Sequence, residues 1–272
     1  MENRKRLSVV IAFTDFDSAV KNFYNSTMFY FENIDSRKIL KSDMLEAAEA
    51  FFTTREICIK SKDPSMRAIV DENKKIITNY LKILPENLIS PTQTHSVNIK
   101  TANVSKHDYS ETDALILAEK NIGIFLNFAD CTPIILYDPK QNTGGIAHAG
   151  WRGTAQKIAP LTVEKMRKEF GSKPMDIIAL IGPAIGFCCY DVKEDVRGKL
   201  SKSVTDFYGL SEVREGGIFV DLKGINRRQL EECGVRQIDV CPYCTVHNNN
   251  TFFSYRCENA TGNRHSAVLR LR

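Results

Sequence analysis

Three apolar runs follow one another in the middle of the chain, and each ends on polar residues. Ile122 to Phe128 runs into Asp130-Cys131, Ile134 to Tyr137 closes on the turn signal Asp138-Pro139, and Gly144 to Ala147 ends at His148. Short apolar runs bounded by turn residues read as buried strands. Cys131 and His148 therefore lie at or near strand ends, where a rigid scaffold can aim side chains into a shared site. A period near 3.6 over Pro64 to Leu84 (Met66, Ile69, Val70, Ile76, Ile77, Tyr80, Leu81, Leu84) predicts a helix stopped by Pro85. Further helices are expected at Ala155 to Phe170, capped by Gly171, at Val192 to Leu200, and at Lys223 to Cys233, ended by Gly234. A short helix is expected over Asp43 to Phe52. Strands are expected at Val9 to Phe13, at Phe52 to Thr54 before a turn, and at Asn87 to Ile99 with a bend near His95. Others are expected at Asp176 to Ile181, Phe219 to Leu222, Ile238 to Cys241, Phe252 to Arg256 and Ser266 to Leu271. This irregular alternation predicts an α/β (α+β) class: a single layered domain with mixed β-sheets flanked by helices. It spans 1–272, with 1–50 its least defined part.

Composition narrows the function classes. With 43% hydrophobic and 26% charged residues over 272 positions, the chain has ordinary globular make-up and ample length for a core. The net charge of +4 comes without a dense basic cluster, which argues against nucleic acid. No apolar stretch approaches a membrane span. The basic start, Met1 to Arg6, precedes an apolar run too short for a signal peptide. Eight cysteines without such a signal then read as reduced thiols in a cytoplasmic protein.

His95, Cys131 and His148 carry the candidate chemistry. Two imidazoles and one thiolate hold zinc in a three-ligand site whose fourth position stays open, as catalytic zinc requires. Their gaps of 36 and 17 residues are unlike the tight pairs of a zinc finger. The rival is a nucleophilic Cys131 with one histidine as base, which leaves the second histidine without a task. Asp130 beside Cys131, and Arg152 four residues after His148, gather further polar groups. A helix beginning at Thr154 would turn its N–H groups toward the same region, an arrangement suited to an anion. Trp151 reads either as a stacking platform for a base or as core. Cys241-Pro242-Tyr243-Cys244 has redox spacing, but it lies late in the chain and runs into an asparagine tract, so packing is expected of it. Cys188 and Cys189 cannot both aim into one site if that segment is extended. His107 reads as a loop residue, His247 as part of a turn, and the role of His265 stays open.

Several motifs together resemble one family. They are Thr92-Gln93-Thr94-His95, Thr112-Asp113-Ala114-Leu115, Ala129-Asp130-Cys131-Thr132-Pro133 and Ala147-His148-Ala149-Gly150-Trp151-Arg152-Gly153-Thr154. To these are added Ile181 to Tyr190, and Phe252 to Arg256 with Thr261-Gly262. In this order, over roughly 50–272, they resemble the YfiH-type polyphenol oxidase or laccase-domain proteins. The resemblance implies zinc on His95, Cys131 and His148. It also implies cleavage of adenosine, inosine and methylthioadenosine by phosphate, with an accompanying adenosine deaminase activity; some members are described as cell-wall precursor editing factors. Arg152, Thr154 and Arg256 then become candidates for phosphate, and Asp130 or Asp113 for proton transfer. The chain departs from the pattern after Arg55, where a Gly-Gly-x-Ser turn and a longer stretch are usual, and at Cys257, where a second basic residue is usual. The older multicopper label fails on counting: five histidines in all support one mononuclear site. That site suits zinc, although copper would also bind it in vitro. A Cys131 thiol hydrolase and a non-catalytic zinc protein are the remaining alternatives.

Overall fold

The computed structural model describes residues 29–105 and 108–272. The strand expected at Val9 to Phe13 and the loop residue His107 lie outside them. One six-stranded sheet has the order β1 (Phe29–Ile34), β2 (Arg37–Ser42), β3 (Ala48–Thr53), β15 (His265–Leu271), β7 (Gly123–Phe128), β4 (Leu88–Ile89). A second has the order β14 (Gln237–Val240), β10 (Ile178–Ile181), β8 (Thr132–Asp138), β9 (Thr143–Ala149), β6 (Ala114–Leu117), β5 (Ile99–Ala102). Both are mixed: β4 runs parallel to β7, β5 to β6 and β10 to β14, while the other pairs are antiparallel. A small sheet of β11 (Asp191–Val192), β13 (Gly217–Val220) and β12 (Ser211–Arg214) lies to one side.

The apolar runs are continuous because both faces of the central strands are covered. Ile135 and Tyr137 of β8 enter the cluster between the two sheets, with Phe52, Leu126, Ile146 and Leu269. Ile134 and Leu136 of the same strand enter another cluster, under α3 (Ile158–Phe170) and α5 (Leu222–Glu232). The far face of the first sheet is covered by α1 (Arg67–Leu81), whose Ile77 and Leu81 pack on Ile39, Phe51 and Val268. The result is helix, sheet, sheet, helix: the layered mixed α/β class expected. Two shorter helices are α2 (Trp151–Ala155) and α4 (Glu194–Ser201). Among the described residues, no helix is long and apolar enough to cross a membrane.

Several expectations are corrected. The helix expected over Asp43 to Phe52 is strand β3 from Ala48, because pairing with β15 outweighs the helix preference of its alanines and Glu49. The strand expected over Phe252 to Arg256 is a series of turns whose two phenylalanines are buried. Asn87 to Ile99 is strand only at Leu88–Ile89 and from Ile99; between them His95 adopts a left-handed backbone, φ 61°. The helix expected from Ala155 is two helices. Lys157 breaks it at φ 62°, and Gly171 caps the second as expected. The helix α1 ends at Leu81 on a left-handed Lys82 rather than at Pro85, and its Ile69 is exposed.

Candidate metal centre

Asp113 organises the centre. It is fully buried at the start of β6, and five donors converge on its carboxylate. They are the backbone amides of Thr94 (3.1 Å), His95 (3.0 Å) and Ser96 (2.7 Å), the Ser96 hydroxyl (2.8 Å) and His148 Nδ1 (2.8 Å). Burial by itself would raise its pKa, but the bonds from His148 and Ser96 hold the carboxyl well below the usual carboxylate range. One carboxylate thus fixes both histidines. It stabilises the left-handed turn that presents His95, and it occupies Nδ1 of His148 so that Nε2 faces the centre. A carboxylate behind a ligating histidine sets its tautomer and ring orientation in metal sites.

Cys131 sits just before β8, and His148 one residue before the end of β9. These antiparallel neighbours place Pro133 opposite His148, which brings the thiol beside the imidazole. The ligand atoms of His95, Cys131 and His148 all lie within 4.8 Å of one another, with Cys131 Sγ 3.9 Å from His95 Nε2. The histidine rings meet edge to face, 4.8 Å between centroids. Gly150 closes the arrangement: a Cβ there would stand 2.9 Å from Cys131 Sγ and 3.2 Å from His95 Cδ2, which explains a glycine right after the His148 strand.

Burial opposes charge on both Cys131 and His148, yet each favours the charged form of the other. The thiol is lowered to about 6, chiefly by His148 and then His95, and His148 is raised to about 9 by the Cys131 thiolate and Asp113. Without metal the pair is therefore thiolate and imidazolium between roughly pH 6 and 9. Alkylation of Cys131 in chelator-treated protein, followed by peptide mass spectrometry, is expected to switch on as pH rises through about 6. An onset near 9, the ordinary thiol value, would contradict the pairing.

The centre forms one wall of a cavity of about 880 Å³ whose lining includes five cations: Lys60, Lys62, Arg152, Arg256 and Arg264. Arg152 is exposed and lies over the Trp151 ring, 4.3 Å from its centroid; Lys199 of α4 stands 5.5 Å from the same ring, which packs against the cluster of Leu200, Val220 and Leu222. Arg256 pairs with Asp191. Asp130 also lines the cavity, in a left-handed conformation (φ 80°) held by the Thr245 hydroxyl (2.6 Å) and the Arg256 amide (2.7 Å). Residues at positive φ other than glycine are uncommon, and strain of this kind concentrates at functional sites. Asp113 lies behind His148 rather than on the cavity.

Thr154 is not brought to the site. It lies inside α2, fully buried, with its hydroxyl bonded to Ala149 O and accepting from Asn226. Because the helix starts at Trp151, a helix N-terminus at Thr154 does not exist. Lys60, Lys62, Arg264 and Tyr190 line the cavity without having been singled out. The short segment after Arg55 in fact builds this wall: Lys60 bridges to Arg264, and the Lys62 amide donates to Gly262 O. Their positions, scattered over three segments, carry no periodic signal. His265 is fully buried between Phe128 and Phe252; burial pushes it down to about 3, so it stays neutral and away from the metal ligands.

Comparison with known proteins gives concordant matches. The family described as multi-copper polyphenol oxidoreductase laccase matches residues 47–271. A purine nucleoside phosphorylase of Bacteroides thetaiotaomicron is 34% identical over 200 residues, covering 69% of this chain and 74% of its own. A purine nucleoside phosphorylase of Deinococcus radiodurans is 34% identical over 215 residues, covering 78% and 80%. The crystal structure of the hypothetical protein YfiH of Bacillus licheniformis superposes with a TM-score of 0.82 at 29% identity, covering 92% of this chain and all of that one.

Proposed function

The chain belongs to the multi-copper polyphenol oxidoreductase laccase family, and from that premise we propose that it is a zinc-dependent purine nucleoside phosphorylase. The observation that carries the reading is the pairing of the His95, Cys131, His148 donor set with a cation-lined cavity roomy enough for a nucleoside and phosphate together. The unit proposed to act is the whole chain, 1–272, as one laccase-type domain. Its substrates are adenosine, inosine and methylthioadenosine with phosphate, and the accompanying reaction is deamination of adenosine. The donor set suits zinc: mixed N and S ligands, three in number, a carboxylate behind one histidine, and open space on the cavity side. Bound there, zinc would supply a Lewis acid that draws charge from the purine and an acidified water for deamination.

The chain's own residues do the rest. In phosphorolysis a phosphate oxygen bonds to the ribosyl anomeric carbon as the bond to the purine nitrogen breaks, and the purine leaves with the electron pair and takes a proton. Phosphate must be fixed on one face of a sugar that becomes cation-like. Arg152 and Arg264 are the proposed grip on it, since both line the cavity and guanidinium forks match phosphate oxygens. Asp130 is the aspartate that borders both Cys131 and the cavity, and it is the proposed proton carrier; Asp113 positions the histidines. Tyr190 and Tyr255 offer rings to the base.

The test is phosphate-dependent release of adenine from adenosine by the zinc-loaded protein; absence of phosphate dependence would sink the reading. In the same assay, Arg152→Ala is expected to raise the phosphate KM. It should lower phosphorolysis efficiency by roughly ten- to a hundredfold, the loss of one charge-assisted contact of about 1.5–3 kcal/mol. Deamination needs no phosphate and should change much less. A parallel fall in both reactions and in zinc content would instead make Arg152 a brace for the His148 loop. One observation favours a second reading, a thiol hydrolase: Cys131 and His148 stand side by side, and each favours the charged form of the other. Hydrolase activity that survives chelation would favour it.

A further inference from the structure

Away from this centre, the described residues hold a second group of soft ligands. Cys188 and Cys189 are not extended; they lie in a tight turn whose Cys189 and Tyr190 amides both bond to Gly186 O, at 2.9 and 3.0 Å. The turn swings both thiols toward one imidazole: Cys188 Sγ is 3.5 Å from His247 Nδ1, and Cys189 Sγ is 3.3 Å from His247 Nε2. Cys244 completes the group, and one ligand atom from each of the four residues lies within 4.8 Å of the other three. The expectation that Cys188 and Cys189 cannot both aim into one site is thereby corrected, because their segment is not extended; Cys241 and Cys244 are buried, as packing requires.

We propose that Cys188, Cys189, Cys244 and His247 bind a second zinc ion, in a closed four-ligand structural site. Three thiolates and one imidazole are a standard structural zinc set. With Zn–S near 2.3 Å, tetrahedral ligand atoms stand about 3.5–3.8 Å apart; only one His247 nitrogen can bind, so one Cys–His separation is already of that size and the other thiol has to close on the same nitrogen from within the 4.8 Å cluster. The Gly186 amide donates to Cys244 Sγ at 3.2 Å, a bond that favours the thiolate a metal needs. A Cβ on Gly186 would stand 3.0 Å from both Cys188 Sγ and Cys244 Cβ, so the backbone there is fitted around the sulfurs. Cys188 and His247 are exposed, which gives the ion an entry path.

The site joins a segment that lines the catalytic cavity to one that holds a cavity residue. Ile185 and Tyr190, on either side of the Gly186 turn, line it. Thr245, next to Cys244, holds the Asp130 carboxylate, and the Ile185 amide donates to Asp130 O at 3.0 Å. Zinc bound here would fasten the segment carrying Tyr190 to the segment that holds Asp130, and so act as a positioning brace rather than a reactant.

The experiment uses the full chain, purified reduced and dialysed to remove loose metal, with zinc counted per chain by mass spectrometry. Two zinc ions are expected for the wild type, one for Cys131→Ser, and one for the double variant Cys188→Ser with Cys189→Ser. Cobalt loaded into Cys131→Ser should show the intense sulfur-to-cobalt absorption of several thiolates, and this variant leaves the second cluster untouched should the double variant fail to fold. Zinc confined to the first centre, with none in Cys131→Ser, would overturn the proposal. So would a Cys188–Cys244 disulfide, seen as a loss of two hydrogens in the intact mass, in place of metal. One zinc in wild type that persists in Cys131→Ser would uphold this site and count against the metal reading of the first, so the two failures are distinguishable.

Discussion

Cys131→Ser is expected to leave the first centre without zinc and to remove nucleoside cleavage. A hydroxyl is a poor zinc ligand beside a thiolate, and the two histidines that remain are too few for a catalytic site. Loss of a carboxylate behind a ligand already costs roughly 10–100-fold in metal affinity or activity, so loss of a ligand should cost more. The fold should survive, because Cys131 lies at a strand mouth, partly exposed, and serine is close to it in size. The measurements are zinc content, adenine release with phosphate, and thermal denaturation on one preparation. A variant that keeps full phosphorolysis while its first centre is empty would place the chemistry elsewhere in the cavity.

Asp113→Asn is expected to damage the same centre from behind, and to lower stability as well. The carboxylate accepts from five donors. An amide of the same shape offers one oxygen and turns an NH₂ toward groups that themselves donate. Leaving a buried donor unpaired costs about 1–3 kcal/mol, and at least two are affected, so a loss of about 2–6 kcal/mol is expected. The left-handed His95 loses its anchor too, which should lower zinc affinity by roughly 10–100-fold. Because the carboxyl is held below its ordinary range, its contribution is present above about pH 4 and fades as pH falls further. Denaturant melts of chelated protein, with zinc titration, check both effects. Wild-type stability would mean the amide re-pairs locally; wild-type zinc affinity would mean that the histidines are held by packing alone.

Much of the centre is legible in the chain because it rests on local rules. A strand covered on both faces must be apolar throughout, so Ile134 to Tyr137 and Gly144 to Ala147 announce themselves, and the polar residues at their ends mark the site. The antiparallel pairing of the successive strands β8 and β9 then brings Cys131 beside His148. The helices α1 and α5 are legible for the same reason, through a stripe of period 3.6 and a terminal Gly234 at φ 99°. Asp113, by contrast, reads in sequence as one more acid in a motif. Only the register of β6 against β9, and the turn at His95, place it where five donors meet.

Tertiary pairing alone decided the remainder. Ala48 to Thr53 has residues that serve helix or strand equally, and the partner strand β15, far along the chain, chose strand. Phe252 and Phe253 are buried as the pattern demands, but burial in turns leaves no period to read. The cavity cations come from short segments at 60–62, 152, 256 and 264, and Cys188 and His247 stand 59 residues apart. Contacts of that range follow from how the layers stack, and no window of local sequence encodes them. The sequence by itself thus determined the layered class and the ligand types at the strand ends; the stacking of the two sheets determined which carboxylate fixes the histidines, which cations face the cavity and which cysteines meet.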